Sequence, residues 1–188
     1  MTAKNTDLSI KLKPANSKLV NSKSVKPKPL TAAAFKAFGD VIEVTEQSTF
    51  ISINDGYTKR FHDLAQLDTA TNGGRPIINV FRSTPLVQPI AIKMMERHPL
   101  ASQAFYPLSQ QPYLVVVAPK GEFDLNALEV FIATAEQGIN YHAGTWHHYC
   151  LALHQISDFM VIDRGGEGDN CDVITLDGSL KIATVLAQ

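Results

Sequence analysis

Between residues 40 and 176 the chain breaks into short runs rich in β-branched and aromatic residues, recurring about every ten residues and punctuated by turn formers. The runs are 40–44, 49–53, 57–64, 76–84, 90–98, 103–108, 113–118, 130–134, 146–154, 158–164 and 171–176. Asn54-Asp55-Gly56, Asn72-Gly73-Gly74, Pro119-Lys120-Gly121 and Gly165-Gly166 supply the turns. Strands this short gain stability only by burying one face against others, so the pattern predicts an all-β sandwich or barrel. Helix is confined to two short pieces. Thr31 caps 32–38, which Gly39 ends, and Asp124 caps 125–128. No segment repeats at a solenoid period.

A chain of 188 residues suits one core. Residues 1–24 carry Asn, Ser and Lys with almost no apolar periodicity, which predicts a disordered extension ahead of a single domain at 25–188. The formal net charge of −1 provides no positive field for a phosphate backbone, so nucleic acid is excluded as a partner. Apolar runs stay well short of the ~20 residues of a membrane helix. The two cysteines, Cys150 and Cys171, lack CxxC spacing, and the first residues lack an apolar signal core, which predicts a cytoplasmic chain with two free thiols.

Side chains alternate across a strand, so 90–98 has one face made of Ile90, Ile92, Met94, Glu96 and His98. That apolar face ends in a carboxylate and an imidazole, and burying either without a partner costs several kcal/mol. In 146–154 the inward face carries His147, Tyr149, Leu151 and Leu153, which places His148 and His154 at the surface. Where the strand mouths converge, Glu96, His98 and His147 form a nitrogen and oxygen ligand set for a divalent metal. Core polar groups bonded to backbone are the other reading of the same residues. Glu136 to His148 holds Tyr141, His142, Trp146 and His147 around two glycines and reads as a turn at a cavity rim.

The spacing Glu96-x-His98-x4-Gln103, then Gly138-x5-Gly144-x-x-His147, resembles the two motifs of the cupin barrels, with Glu96 at the first histidine position and Gln103 at the carboxylate position. A longer resemblance is to the ureidoglycolate lyase family. Its blocks run in order through Phe38-Gly39-Asp40-Val41-Ile42-Glu43, Arg60-Phe61-His62-Asp63-Leu64, residues 96–105, residues 136–142, Thr145-Trp146-His147-His148 and residues 158–166. It implies a cupin-like β-barrel or jelly roll and a homodimer. The products it implies are glyoxylate and urea, formed in allantoin and purine degradation. As cofactor it implies a divalent metal, nickel in particular, held by Glu96, His98, Gln103 and His147.

Splitting ureidoglycolate needs a base, an acid and a cation for the substrate carboxylate. Glu96, His98, His142 and His147 are the catalytic candidates, with His142 as acid. Arg82, Arg60 and Arg164 are the carboxylate candidates, because a guanidinium fork matches a carboxylate, and Arg82 shares a strand face with Ile78 and Val80. His62, Tyr141 and Trp146, within the blocks, join Gln103 as substrate-binding candidates. Two other readings stay open, a ureidoglycolate hydrolase that releases ammonia and a cupin that binds small acids without catalysis.

Overall fold

Tyr113–Ala118 is buried at every position, which marks a central strand covered on both faces. Tyr113, Val115 and Val117 turn into one core with Phe131, Ile139, Phe159 and Val161. Leu114, Val116 and Ala118 turn the other way, into a second core with Ile90, Ile92, Met95, Trp146 and Ile182. Fully burying a side chain such as Phe131 or Phe159 contributes roughly 1.5–3 kcal/mol each, so these two layers dominate the fold's stability.

The computed structural model describes residues 24–185 and, as backbone, residues 12–14. Among the described residues the fold is mainly β. One sheet runs in the order Leu12–Pro14, Asp172–Thr175, Met94–Arg97, Trp146–His147, Tyr113–Ala118, Glu129–Ala133, Lys28–Pro29, with Leu151–Ala152 also paired to Tyr113–Ala118. Facing it is a five-stranded sheet, Gly39–Ile42, Gly138–Tyr141, Gln103–Pro107, Ser157–Gly165, Arg75–Ser83. The chain crosses repeatedly from one sheet to the other, giving the double-sheet jelly roll expected of a cupin-like barrel. A small sheet of Ser24–Val25, Lys181–Ile182 and Ile90–Ala91 contributes Ile90 and Ile182 to the second core. A hairpin of Ile51–Ile53 and Thr58–Arg60 stands apart.

Several expectations need correction. The run 90–98 is two strands, Ile90–Ala91 and Met94–Arg97, and the break shifts the alternation. Ile90, Ile92 and Met95 therefore share the second core, while Glu96, opposite His147, takes the inner side. The helix is Ala32–Phe35, with the Thr31 hydroxyl accepting from the Ala34 N–H. Gly39 begins a strand instead of ending the helix, and its requirement is close approach: a Cβ there would sit 1.9 Å from the Asn140 carbonyl oxygen. The presumed rim turn contains the fully buried strand Gly138–Tyr141. Its polar residues hid the pattern, because its inward positions are Ile139 and Tyr141 while the outward Asn140 is also covered. His148 is buried, not a surface residue, with Nδ1 3.1 Å from the Tyr149 carbonyl. The short turn Leu125–Ala127 behind Asp124 forms as expected.

Most of the expected extension, 1–11 and 15–23, lies outside the described residues; Leu12–Pro14 pairs in parallel with Asp172–Thr175. No helix among the described residues is long and apolar enough to cross a membrane. Both cysteines are free.

Candidate active site

Register places the expected triad at one end of the inter-sheet space. Glu96 stands opposite both His147 and Val173, so its carboxylate and the imidazole share the inner face. The His147 ring stacks on Tyr141 from the facing sheet at 4.3 Å and 15° and lies 5.1 Å from the His98 ring. Glu96, His98 and His147 each offer one ligand atom within 4.8 Å of the others.

Backbone carbonyls set the histidine tautomers. His147 Nδ1 is 3.0 Å from the Thr145 carbonyl and His98 Nδ1 is 2.6 Å from the Asn170 carbonyl. A carbonyl accepts only, so each Nδ1 carries the proton and each Nε2 keeps a lone pair, the arrangement found behind metal-bound imidazoles. Both Nε2 atoms are buried without a partner, as is Gln103 Oε1. His147 Nε2 lies 3.6 Å from Glu96 Oε1, too far for a hydrogen bond. Burial, with His98 nearby, drives the His147 pKa down to about 3, so the ring is neutral. Burial also raises the Glu96 carboxyl above its ordinary value, with His98 opposing the rise. Buried polar atoms without protein partners are met by water, an ion or a ligand, and three lone pairs gathered beside a carboxylate are a donor set that suits a divalent cation.

The facing sheet completes the lining. Gln103 Nε2 is 3.5 Å from Asp163 Oδ2, and Asn79 Nδ2 donates to Asp163 Oδ1 at 3.0 Å. Desolvation raises the Asp163 carboxyl, with Gln103, His98 and Asn79 opposing. Asp163 and Asn79 are site residues that the sequence reading left unassigned. Alternation from the core residues Phe159 and Val161 points to Asp163, and the nine-residue strand Arg75–Ser83 carries Asn79 opposite Val161.

Other candidates are held elsewhere. Arg82 lies on the outward face of Arg75–Ser83, its fork engaged by Asp158 at 2.8 Å twice, and the Ile78 and Val80 that share its face are exposed. Arg164 is buried and donates to the Thr71, Asn72 and Glu167 carbonyls. His142, one residue past the inward Tyr141, turns outward, with Nε2 3.2 Å from Asp40 Oδ1. Trp146 faces the second core, donates to the Gly121 carbonyl and lies under the Arg97 guanidinium. Arg60 sits at the base of the exposed hairpin, and His62 follows it, also exposed. The structure thus brings together Glu96, His98, His147, Gln103 and Tyr141, and not Arg82, Arg60, His62, His142, Trp146 or Arg164.

The family model for ureidoglycolate lyase matches residues 22–183. The chain belongs to the ureidoglycolate lyase family. A ureidoglycolate lyase of Burkholderia mallei is 51% identical over 158 residues, 84% of this chain and 92% of that one. Another, of Burkholderia cepacia, is 52% identical over 149 residues, 79% and 84% of the two chains. The Pseudomonas syringae pv. syringae lyase is 50% identical over 145 residues, 77% and 85%. Among solved structures, RmlC from Streptococcus suis in complex with dTDP-D-xylose aligns at a TM-score of 0.39 and 10% identity, over 50% of this chain and 46% of that one, too partial to bear on the fold. Every residue of the triad lies within the stretch matched to the ureidoglycolate lyase family.

Proposed function

We propose that the protein is a ureidoglycolate lyase that splits its substrate into glyoxylate and urea at the inner cluster, in purine breakdown in the cytoplasm. The observation that carries the site assignment is the set of three buried, partnerless acceptor atoms, His98 Nε2, His147 Nε2 and Gln103 Oε1, beside Glu96. Those four residues would hold a divalent ion, nickel by family resemblance, which supplies Lewis acidity to the substrate hydroxyl. Two free thiols fit a reducing compartment.

Ureidoglycolate is a carbinolamide. As its hydroxyl proton leaves, the carbonyl forms, the carbon–nitrogen bond breaks, and the electron pair departs with the urea nitrogen, which takes up a proton. No water enters the products. Tyr141 and its stacked His147 wall one side of the site. Asp163 faces the ligand set from the other sheet, oriented by Asn79 and Gln103, and is placed to pass the proton from oxygen to nitrogen. His142, paired with Asp40 on the outward side, is not used for that step. Purified protein given ureidoglycolate should release glyoxylate and urea in equal amounts; stoichiometric ammonia would instead mean hydrolysis.

We also propose a homodimer, on the family resemblance. Ile78 and Val80 are exposed on the outward face of an edge strand, and Tyr106, Met160 and Ile162 share that face; a second copy would cover it. Light scattering should give a mass near twice the 20.6 kDa of one chain, and the single-chain mass would rule the dimer out.

A further inference from the structure

Resting on the lyase reading, we propose that Arg75 binds the substrate carboxylate at the mouth of the inner cluster. The reacting carbon of ureidoglycolate carries a carboxylate; Arg60 stands on the exposed hairpin apart from the two main sheets, and Arg82, Arg97 and Arg164 are already committed. Arg82 is held by Asp158, and Arg164 by three backbone carbonyls. Arg97 donates to Asp172 and the Gly121 carbonyl.

Arg75 opens the strand Arg75–Ser83 and is exposed, with no hydrogen bond or ion pair among the described residues. Alternation places Arg75, Ile77 and Asn79 on one face, and the Asn79 bond to Asp163 identifies that face as the inner one. Across the pair, Ile77 stands opposite Asp163 and Arg75 opposite Gly165. Gly165 has no side chain to block the guanidinium; a Cβ built there would lie 3.7 Å from Arg75 Cζ. The fork therefore lies across the glycine, one two-residue step of about 7 Å from the row that holds Asp163. A charge-assisted contact of about 2.8 Å plus the carboxylate itself spans most of that step. Arg164 positions the segment from behind, through the Thr71 and Asn72 carbonyls just before Arg75.

Arg75→Ala and Arg75→Lys separate the possibilities, read against ureidoglycolate and against hydroxymethylurea, the carbinolamide that lacks the carboxylate. For Arg75→Ala, kcat/KM on ureidoglycolate should fall roughly 10- to 100-fold, as for loss of a bond to a charged group, while hydroxymethylurea turnover and the melting temperature hold. Arg75→Lys should recover part of the loss, and glyoxylate affinity by calorimetry should drop in parallel with kcat/KM. Unchanged glyoxylate affinity in Arg75→Ala, or equal losses on both substrates, would overturn the assignment and leave the lyase reading intact. Wild-type protein that forms no glyoxylate and urea would overturn both.

Discussion

On the outward face of the five-stranded sheet most polar groups are met within the chain, with the buried Asn140 Oδ1 as an exception, whereas on the inner side several open atoms gather in one place. On the outward face Arg82 has Asp158, and Asp40 is met by Asn140, His142 and the Gln66 N–H. Arg164 likewise has its loop carbonyls. On the inner side Gln103 leaves a buried oxygen without a partner, and across the gap His98 and His147 each leave a nitrogen open. A polar group satisfied within the chain holds structure together, whereas buried groups left open together are waiting for something the chain does not supply. Residue type does not distinguish the two cases, since arginine, histidine and carboxylate occur in both.

The sharpest way to break this contrast is His147→Ala. It should abolish divalent-ion binding by calorimetry and lower ureidoglycolate turnover at least about 100-fold, more than the loss expected for a residue that only supports a metal ligand. Retained ion binding would show that the open atoms are not a ligand set.

Next in size is Arg164→Ala, on the satisfied side. Losing bonds from a buried guanidinium to three carbonyls should cost about 2–4 kcal/mol by denaturant unfolding, while the turnover of folded enzyme at saturating substrate persists.

Smaller again is a pH effect in chelator-treated protein. The His147 pKa is lowered in the fold to about 3 from 6.5, so the unfolded chain binds the extra proton between those values. Its contribution to stability is full above 6.5 and is lost as pH falls toward 3. The melting temperature should decline across that window, and less steeply in His147→Gln.

The smallest effect belongs to Arg82→Ala, whose ion pair is solvent-exposed. Turnover and melting temperature should both stay at wild-type values; a raised KM would place Arg82 at the substrate after all.

Much of this was legible in the sequence. The β class followed from turn spacing, and the resemblance named Glu96, His98 and His147. The shared face expected for His147, Tyr149, Leu151 and Leu153 does not exist, because 146–154 is two strands, Leu151 and Leu153 pack in the second core, and Tyr149 is exposed. What misled was local. The break between Ala91 and Met94 shifts the faces by one residue, so the run from Ile90 to His98 predicted a common face for Ile90 and Glu96 that does not exist. Arg82 looked inward because Ile78 and Val80 share its face, yet that apolar face is the exposed one. Asp163 and Arg164 differ by one position and turn to opposite sides; alternation from the core residues Phe159 and Val161, together with the pairing to Ile77 and Pro76, shows which faces the site.

The most direct test is anomalous scattering from crystals soaked with nickel. One strong peak is expected among Glu96, His98, Gln103 and His147. A peak at the Asp40–His142 pair, or at His148 or His154 with nothing at the triad, would contradict it.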